Sequence, residues 1–299
     1  MSRTVYLNGE FVPESEAKLS IYDLSVMQSA AAFEMTRSFN GGHFKLREHL
    51  VRLEQSCALL GIPLPPSGLN GPALSHPWVD QVRFVCDDVS RLNDHGLGEE
   101  HRLLIVVSPG CAPMYQDLAG VIPHPFVYIA DFPLRYTVAG GSKYFTEGVH
   151  CVTSPIQQVP DACVPSAAKH RSRLHFHLAQ QQAPQGTWPL MVSLVSVEDG
   201  PEEYAEAPGA NIAYVSHGQV YTLETNSLHG ISLSTVKEVV PTKRGRLIVS
   251  DGLAGVSELW LTGTPFCMLP VVSLDGKPIG DGTPGPVYKK TLAKWSAWV

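Results

Sequence analysis

Strands and helices alternate along this chain, which predicts an α/β (α+β) protein. Three observations carry the expectation. The length of 299 residues suits two domains, or one large one, at about 150 residues per domain. Hydrophobic residues make up 44% and charged residues 17%, below the roughly 25% charged content of typical domains, so a sizeable core can be buried. Residues 133 to 142 (PLRYTVAGGS) interrupt the regular pattern with Pro133, Gly140 and Gly141, which places a linker there.

The elements follow in order. TVYLNGEFV (4 to 12) alternates around Asn8-Gly9, a hairpin signal. Residues 25 to 39 read as a helix leading into the strand FEMTRSF; Asn40-Gly41-Gly42 turns, and HFKL resumes a strand. Leu46, Leu50, Leu53, Cys57 and Leu60 recur at spacings of three and four, the pattern of an amphipathic helix. A loop (62 to 75), a second helix (76 to 95) and two apolar strands, RLLIVVSPG and PFVYIADF, complete the first half. Beyond the linker, GVHCVTSP, WPLMVSLVSV, GRLIVSDG and SELWLTGT read as strands. NIAYVSHGQVYTL reads as a hairpin turning at His217-Gly218. PSAAKHRSRLHFHLAQQQA and ISLSTVKEVV read as helices.

Charge and composition exclude several roles. The net charge of −6 argues against nucleic acid and anionic membranes, which are held largely by basic patches. No apolar run approaches the roughly 20 residues that span a bilayer, and MSRTVYLNGEF lacks the apolar stretch of a signal peptide. Six cysteines are scattered without a C-x-x-C pair and read as ordinary reduced thiols. A cytoplasmic enzyme is the expectation. Phosphate-cradling G-x-x-x-x-G-K-[ST] and G-x-G-x-x-G loops are absent, as is a G-x-S-x-G elbow. Among the twelve histidines, His175 and His177 are two apart on a helix and point away from each other, and no H-E-x-x-H occurs; no metal centre is expected.

Lys169 is the most informative residue. The pattern puts it at the start of a helix, followed by His170, Arg171 and Arg173. Positive charge there opposes the helix macrodipole, and crowded cations favour a nucleophilic amine; a solvated basic helix start is the alternative. HGISLST (229 to 235) opens a helix with N–H groups and a hydroxyl suited to an anion, and LTGTP (261 to 265) runs a strand into Gly-Thr; either also serves as an ordinary cap or turn. Glu206 precedes NIAYV, where a solvated loop carboxylate is the alternative.

Taken in order, these segments resemble the class IV (fold-type IV) pyridoxal-phosphate aminotransferases, the group of branched-chain aminotransferases, D-amino-acid aminotransferases and 4-amino-4-deoxychorismate lyases. AAFEMTRSFNGGHFKLREHLVRLEQS resembles the F-E-x-x-R … F-x-L-x-x-H-x-x-R-L-x-x-S stretch. PSAAKH matches the segment of the Schiff-base lysine, YAEAPGANIAYVSHGQVYT the E-x-x-x-x-N hairpin, and HGIS and LTGTPFCMLPVVSLDGKPIGDGTPGPV the two phosphate steps and the C-terminal signature.

The resemblance implies a small N-terminal α/β domain (1–132), a linker (133–138) and a larger β-barrel-like α/β domain (139–299), usually assembled as a homodimer. It implies pyridoxal 5'-phosphate as cofactor, Lys169 as the attachment lysine and proton carrier, and Glu206 as the carboxylate facing the pyridine nitrogen. Arg52, Ile231, Ser232, Gly263 and Thr264 match phosphate ligands, and Asn211 the structural asparagine behind Glu206. Phe33, Met35, Arg102 and Leu174 fall in the substrate shell, where the sequence departs from the branched-chain pattern. The usual Asn-Tyr pair after the lysine is Arg173-Leu174, and Gly230-Ile231-Ser232-Leu233 replaces G-I-T-R. The expected activity is amino transfer between an amino acid and a 2-oxo acid. A lyase releasing pyruvate is the alternative, since Lys169-His170 with Arg173-Leu174 fits its Lys-His-x-x-Arg-Leu pattern. A non-catalytic cofactor-binding protein is the third reading.

Overall fold

The computed structural model describes residues 3–65, 77–95, 99–134, 143–194 and 201–299. The chain forms two compact units, Met1–Thr137 with Ala168–Ser172, and Val138–Ala167 with Arg173–Val299. Parts of the loop expected at 62 to 75 and of the linker expected at 133 to 138 lie outside the described residues. Pro133 itself ends a strand.

The first unit is a six-stranded sheet in the order β2-β1-β6-β5-β3-β4. Its strands are β1 (Thr4–Leu7), β2 (Glu10–Pro13), β3 (Ala32–Phe39), β4 (Gly42–His43), β5 (His101–Ser108) and β6 (Phe126–Pro133). The first hairpin turns where it was expected: Asn8 and Gly9 both hold positive φ (48° and 98°), the geometry that matches the strand twist. Helices α2 (Leu46–Leu59) and α3 (Pro77–Asn93) cover one face. Leu46, Leu50, Leu53 and Cys57 are buried against Leu103, Ile105, Val107 and Ile129, so the three-and-four spacing does bury one stripe. The helix expected before β3 is a single turn, α1 (Leu24–Met27), ending before the alanines. HFKL is strand only at His43, because Leu46 already begins α2.

The second unit holds a ten-stranded mixed sheet, ordered β13-β12-β11-β14-β15-β7-β8-β9 with β10 on β11 and β16 on β15. The strands are β7 (Val149–Gln157), β8 (Thr187–Leu194), β9 (Glu202–Tyr204), β10 (Glu206–Ala207), β11 (Ala210–Ser216), β12 (Gln219–Thr222), β13 (Thr242–Arg244), β14 (Val256–Gly263), β15 (Cys267–Leu274) and β16 (Lys277–Pro278). Its helices are α4 (Tyr144–Glu147), α5 (Leu174–Gln182), α6 (Ile231–Val239) and α7 (Pro286–Trp298). GRLIVSDG is not a strand: β13 lies before it, and Val249–Asp251 forms a short 3-10 turn.

The helix expected from Pro165 onward begins only at Leu174. Lys169 therefore does not open a helix, and the macrodipole argument does not apply to it. The reason is backbone hydrogen bonding. Phe33 N–H donates to Lys169 C=O (3.0 Å), Arg171 N–H donates to Ala31 C=O (2.9 Å), and His170 bridges to Ala32. Groups committed to β3 cannot also form a helical ladder.

A buried ion pair ties α2 to β3. Glu34 is fully buried and accepts from Arg52 Nε (2.6 Å), Arg52 Nη2 (2.9 Å) and His49 Nδ1 (2.7 Å). Burial pushes the Glu34 carboxyl up, but Arg52 and His49 outweigh it and hold it well below the usual carboxylate range. Burial pushes His49 down against the pull of Glu34, so Arg52 supplies the positive charge and His49 a neutral N–H. His49 Nε2, buried without a hydrogen-bond partner among the described residues, fits that tautomer.

Replacing one partner should therefore be expensive. Glu34→Gln is expected to lose about 3–5 kcal/mol at neutral pH, because it removes the buried carboxylate that faces the Arg52 charge. The depressed native pKa contributes stability that is present above the unfolded value of about 4.3 and lost as pH falls towards the folded value. Urea unfolding at a series of pH values should show a constant gap between wild type and variant down to about pH 4 and a narrowing gap below it. A neutral-pH difference under about 1 kcal/mol would show that the pair contributes no more than a surface bridge.

Candidate active site

In the first unit, successive β3 side chains point to opposite faces. Glu34 faces the helices; Phe33, Met35 and Arg37 face the other way. Across the sheet Phe33 pairs with Val106, Met35 with Leu104 and Arg37 with Arg102. The Lys169–Arg171 segment lies over this face: Lys169 Nζ stands 4.8 Å and Arg171 Cζ 5.0 Å from the Phe33 ring centroid. Lys169 is fixed through its backbone as well, since its N–H donates to Ser56 Oγ at 3.0 Å. Ser56 in turn donates to Arg52 C=O one turn earlier on α2 (2.7 Å). The amine thus projects from a segment held by a strand on one side and a helix on the other.

Arg102 is buried on the same face, and its Nε has no hydrogen-bond partner among the described residues. Burial first, then the charge of Arg37, pushes its guanidinium down to about 10. Two guanidinium groups at one register position of adjacent strands repel; an anion near them would relieve both the repulsion and the orphaned donor. Arg52 is not on this face. Its Nε and Nη2 go to Glu34, so two of its nitrogens are engaged there.

In the second unit the tight β10–β11 hairpin places Glu206 opposite Asn211. Both clamp one loop residue: Leu228 N–H donates to Glu206 Oε2 (3.2 Å), and Asn211 Nδ2 donates to Leu228 C=O (2.6 Å). Gln158 Nε2 donates to Glu206 Oε1 (2.7 Å). The carboxylate is buried with both oxygens held. The clamped loop leads straight into Gly230 and α6. Gly230 cannot carry a side chain, because a Cβ there would stand 1.8 Å from Asn211 Oδ1.

The start of α6 suits an anion. First-turn N–H groups have no intrahelical acceptor. Ser232 is buried, and its Oγ has no hydrogen-bond partner among the described residues. Thr262 Oγ1, on the strand position paired with Asn211, is buried and unpartnered too. One residue on, Gly263 packs so close to Gly209 C=O that a Cβ would lie at 3.0 Å, and half-buried Thr264 opens the turn to β15. Two orphaned hydroxyls beside a helix N-terminus and a held carboxylate fit a phosphorylated, ring-bearing group.

The first unit thus gathers Lys169, Phe33, Met35 and Arg102; the second gathers Glu206, Asn211, Ile231, Ser232, Gly263 and Thr264. Leu174 joins neither group: it opens α5 and is 69% exposed. Three contributors carried no assigned role in the sequence. Glu34 and His49 stand inside the quoted F-E-x-x-R and H-x-x-R strings, which were the available signal. Gln158 lies 48 positions from Glu206 and left no trace in the sequence.

The chain is similar to known proteins over nearly its whole length. The family model "Amino-transferase class IV" matches residues 31–274. D-alanine aminotransferase of Bacillus licheniformis is 26% identical over 95% of this chain and 93% of its own. Branched-chain-amino-acid aminotransferase of Salmonella typhimurium is 25% identical over 96% and 89%. A solved structure of the T.th. branched-chain amino acid aminotransferase with pyridoxamine 5'-phosphate superposes with a TM-score of 0.81, at 24% identity over 99% of this chain and 94% of that one. With a match spanning well over half its length, the chain belongs to the class IV aminotransferase family.

Proposed function

We propose that this class IV aminotransferase moves an amino group between an amino acid and a 2-oxo acid, with pyridoxal 5'-phosphate attached at Lys169. The observation that carries the reading is the Glu206 clamp: a buried carboxylate held at both oxygens beside the unpartnered Ser232 hydroxyl. When bound, the cofactor supplies an aldehyde that captures the amine and a ring that withdraws electrons.

The chain's own residues do the rest. Glu206 would face the ring nitrogen and keep a proton on it; Gln158 and Leu228 N–H fix the carboxylate so that it cannot turn away. In the second unit Ser232 Oγ, the α6 N-terminus, Gly263 and Thr264 would hold the phosphate; in the first, Arg52 matches a further phosphate ligand of the family. Lys169, held by β3 and Ser56, would take the proton from the substrate α-carbon and return it at the carbon of the cofactor's former aldehyde. Phe33 supports the aliphatic part of Lys169, and Met35 narrows the same face. Arg102, with Arg37 opposite, takes the anionic end of a substrate. The retained Glu206 favours a working enzyme over a binding protein, since Glu206 serves ring electronics more than affinity. Among the described residues no helix is long and apolar enough to cross a membrane. We extend the reading to a homodimer in the cytoplasm; exposed apolar Ile21, Met114 and Leu118 support a partner surface.

A visible spectrum, followed by L- and D-amino acids without acceptor, tests the reading. The protein is expected to be yellow and to bleach with particular donors, which names the donor class. Release of pyruvate from one substrate without an acceptor would replace transfer by elimination. Lys169→Ala should remove the lysine-linked absorbance and lower turnover by on the order of 10²–10⁴; colour and turnover both retained would show the lysine misassigned. Glu206→Ala should keep the cofactor and lose roughly 10²–10³ in kcat, and unchanged turnover would end its role. Ser232→Ala should weaken phosphate-bearing cofactor about tenfold or more without changing affinity for pyridoxal lacking the phosphate; equal losses for both would place the hydroxyl elsewhere.

A further inference from the structure

A second cluster of chemistry-bearing side chains sits in the first unit, on the helix-covered side of its sheet. His95 follows α3, His101 opens β5, and Asp131 lies near the end of β6. Asp131 Oδ1 is 2.8 Å from His101 Nδ1 and 3.1 Å from His95 Nε2. One donor atom from each of the three lies within 4.8 Å of the others. The two imidazole rings stack at 4.8 Å with an interplanar angle of 18°.

The hydrogen bonding of this cluster is incomplete in a particular way. His95 Nε2 is at contact distance from the carboxylate but misaligned and makes no hydrogen bond among the described residues; Asp131 Oδ2 is buried without a well-formed one among them, although the Ser90 side chain also acts on this carboxylate. Side-chain exposure is 8% for His95, 7% for His101 and 0% for Asp131. Buried polar atoms left without partners carry a desolvation cost, and an ion is one of the few things that removes it. Two imidazole nitrogens and a carboxylate oxygen are a donor set for a borderline divalent cation. A tetrahedral cage with bonds of about 2.0–2.1 Å needs donors roughly 3.3 Å apart. The two carboxylate contacts are already near that spacing. The wider gap closes by turning His95, which stands on the segment after the helix rather than in regular structure.

A supporting layer is present as well. His43 packs edge-on against His101 (5.3 Å) and is held by Asp87 (Nδ1, 3.3 Å) and Ser90 (Nε2, 2.9 Å). The His101 backbone N–H donates to Ser38 Oγ at 2.9 Å. Such second contacts orient metal-binding rings.

We propose that His95, His101 and Asp131 bind one divalent cation of the zinc class, with the fourth position left to water, and that the ion pins the end of α3 to β5 and β6. None of these residues belongs to the cofactor machinery, so the proposal stands independently of the assigned reaction.

The test uses the untagged full-length protein, freed of metal with a chelator, then titrated with Zn²⁺ or Co²⁺. One equivalent per chain is expected by dialysis and elemental analysis, with the visible d–d bands of four-coordinate Co²⁺, which lie apart from the cofactor absorbance. At a hundredfold excess over Kd, Zn²⁺ should raise the melting temperature by roughly 5–10 °C. His95→Ala, on a non-regular segment, should keep the metal-free melting temperature and lose the equivalent, the bands and the thermal shift. Asp131→Asn, nearly isosteric, should lose them too. Wild type that binds no stoichiometric metal, or His95→Ala and Asp131→Asn that bind as wild type does, would overturn the proposal.

Discussion

The first unit is organised around the buried carboxylate of Glu34. An unpaired charge in that position would be untenable, so the strand that carries it must meet a cation, and α2 provides one in Arg52 with His49 beside it. This fixes the rotation of α2 on the sheet. One turn past Arg52, the same helix face presents Ser56, and Ser56 receives the backbone of Lys169. The Lys169 backbone therefore takes its position from a helix whose rotation the ion pair sets. The other face of β3 completes the arrangement, since the residue next to Glu34 is Phe33, the ring beneath Lys169.

The second unit solves a different problem with similar means. In the proposed site a carboxylate that meets a ring nitrogen is buried and oriented, and a phosphate is received by hydroxyls and helix N–H groups. The β10–β11 hairpin does the first by setting Glu206 against Asn211, and the Leu228 loop couples it to the second, because the clamped residue lies just before the N-terminus of α6. Gly230 is the hinge of this coupling: only a residue without Cβ lets Asn211 approach. The Ser232 and Thr262 hydroxyls, unpartnered among the described residues, are buried polar groups whose desolvation cost a bound phosphate would recover.

Lys169 shows where local reading misleads. Its neighbours carry good helix formers, and the sequence pattern extends the helix back to Pro165. The backbone from 169 to 171 instead pairs with β3, more than 130 positions away. A propensity argument weighs only nearby residues; a long-range hydrogen-bond ladder overrides it. The His95, His101 and Asp131 cluster was invisible for the same reason. Its members are spread over 36 positions with no metal-binding spacing, and only the return of β6 beside β5 brings them together.

By itself the sequence determined the two hairpin turns, the amphipathic α2 and the longer strands of the first sheet, and its motifs named the candidate site residues. These rest on interactions within a few residues: positive φ at Asn8-Gly9, a three-and-four apolar stripe, and a string of motif residues whose order is preserved. Tertiary structure alone decided that Lys169 lies on an extended segment, that Arg52 spends two nitrogens on Glu34, that Gln158 holds Glu206 and that Leu174 stays exposed. Each depends on groups far apart in the chain meeting in a low-dielectric interior, where every buried charge and donor must find a partner.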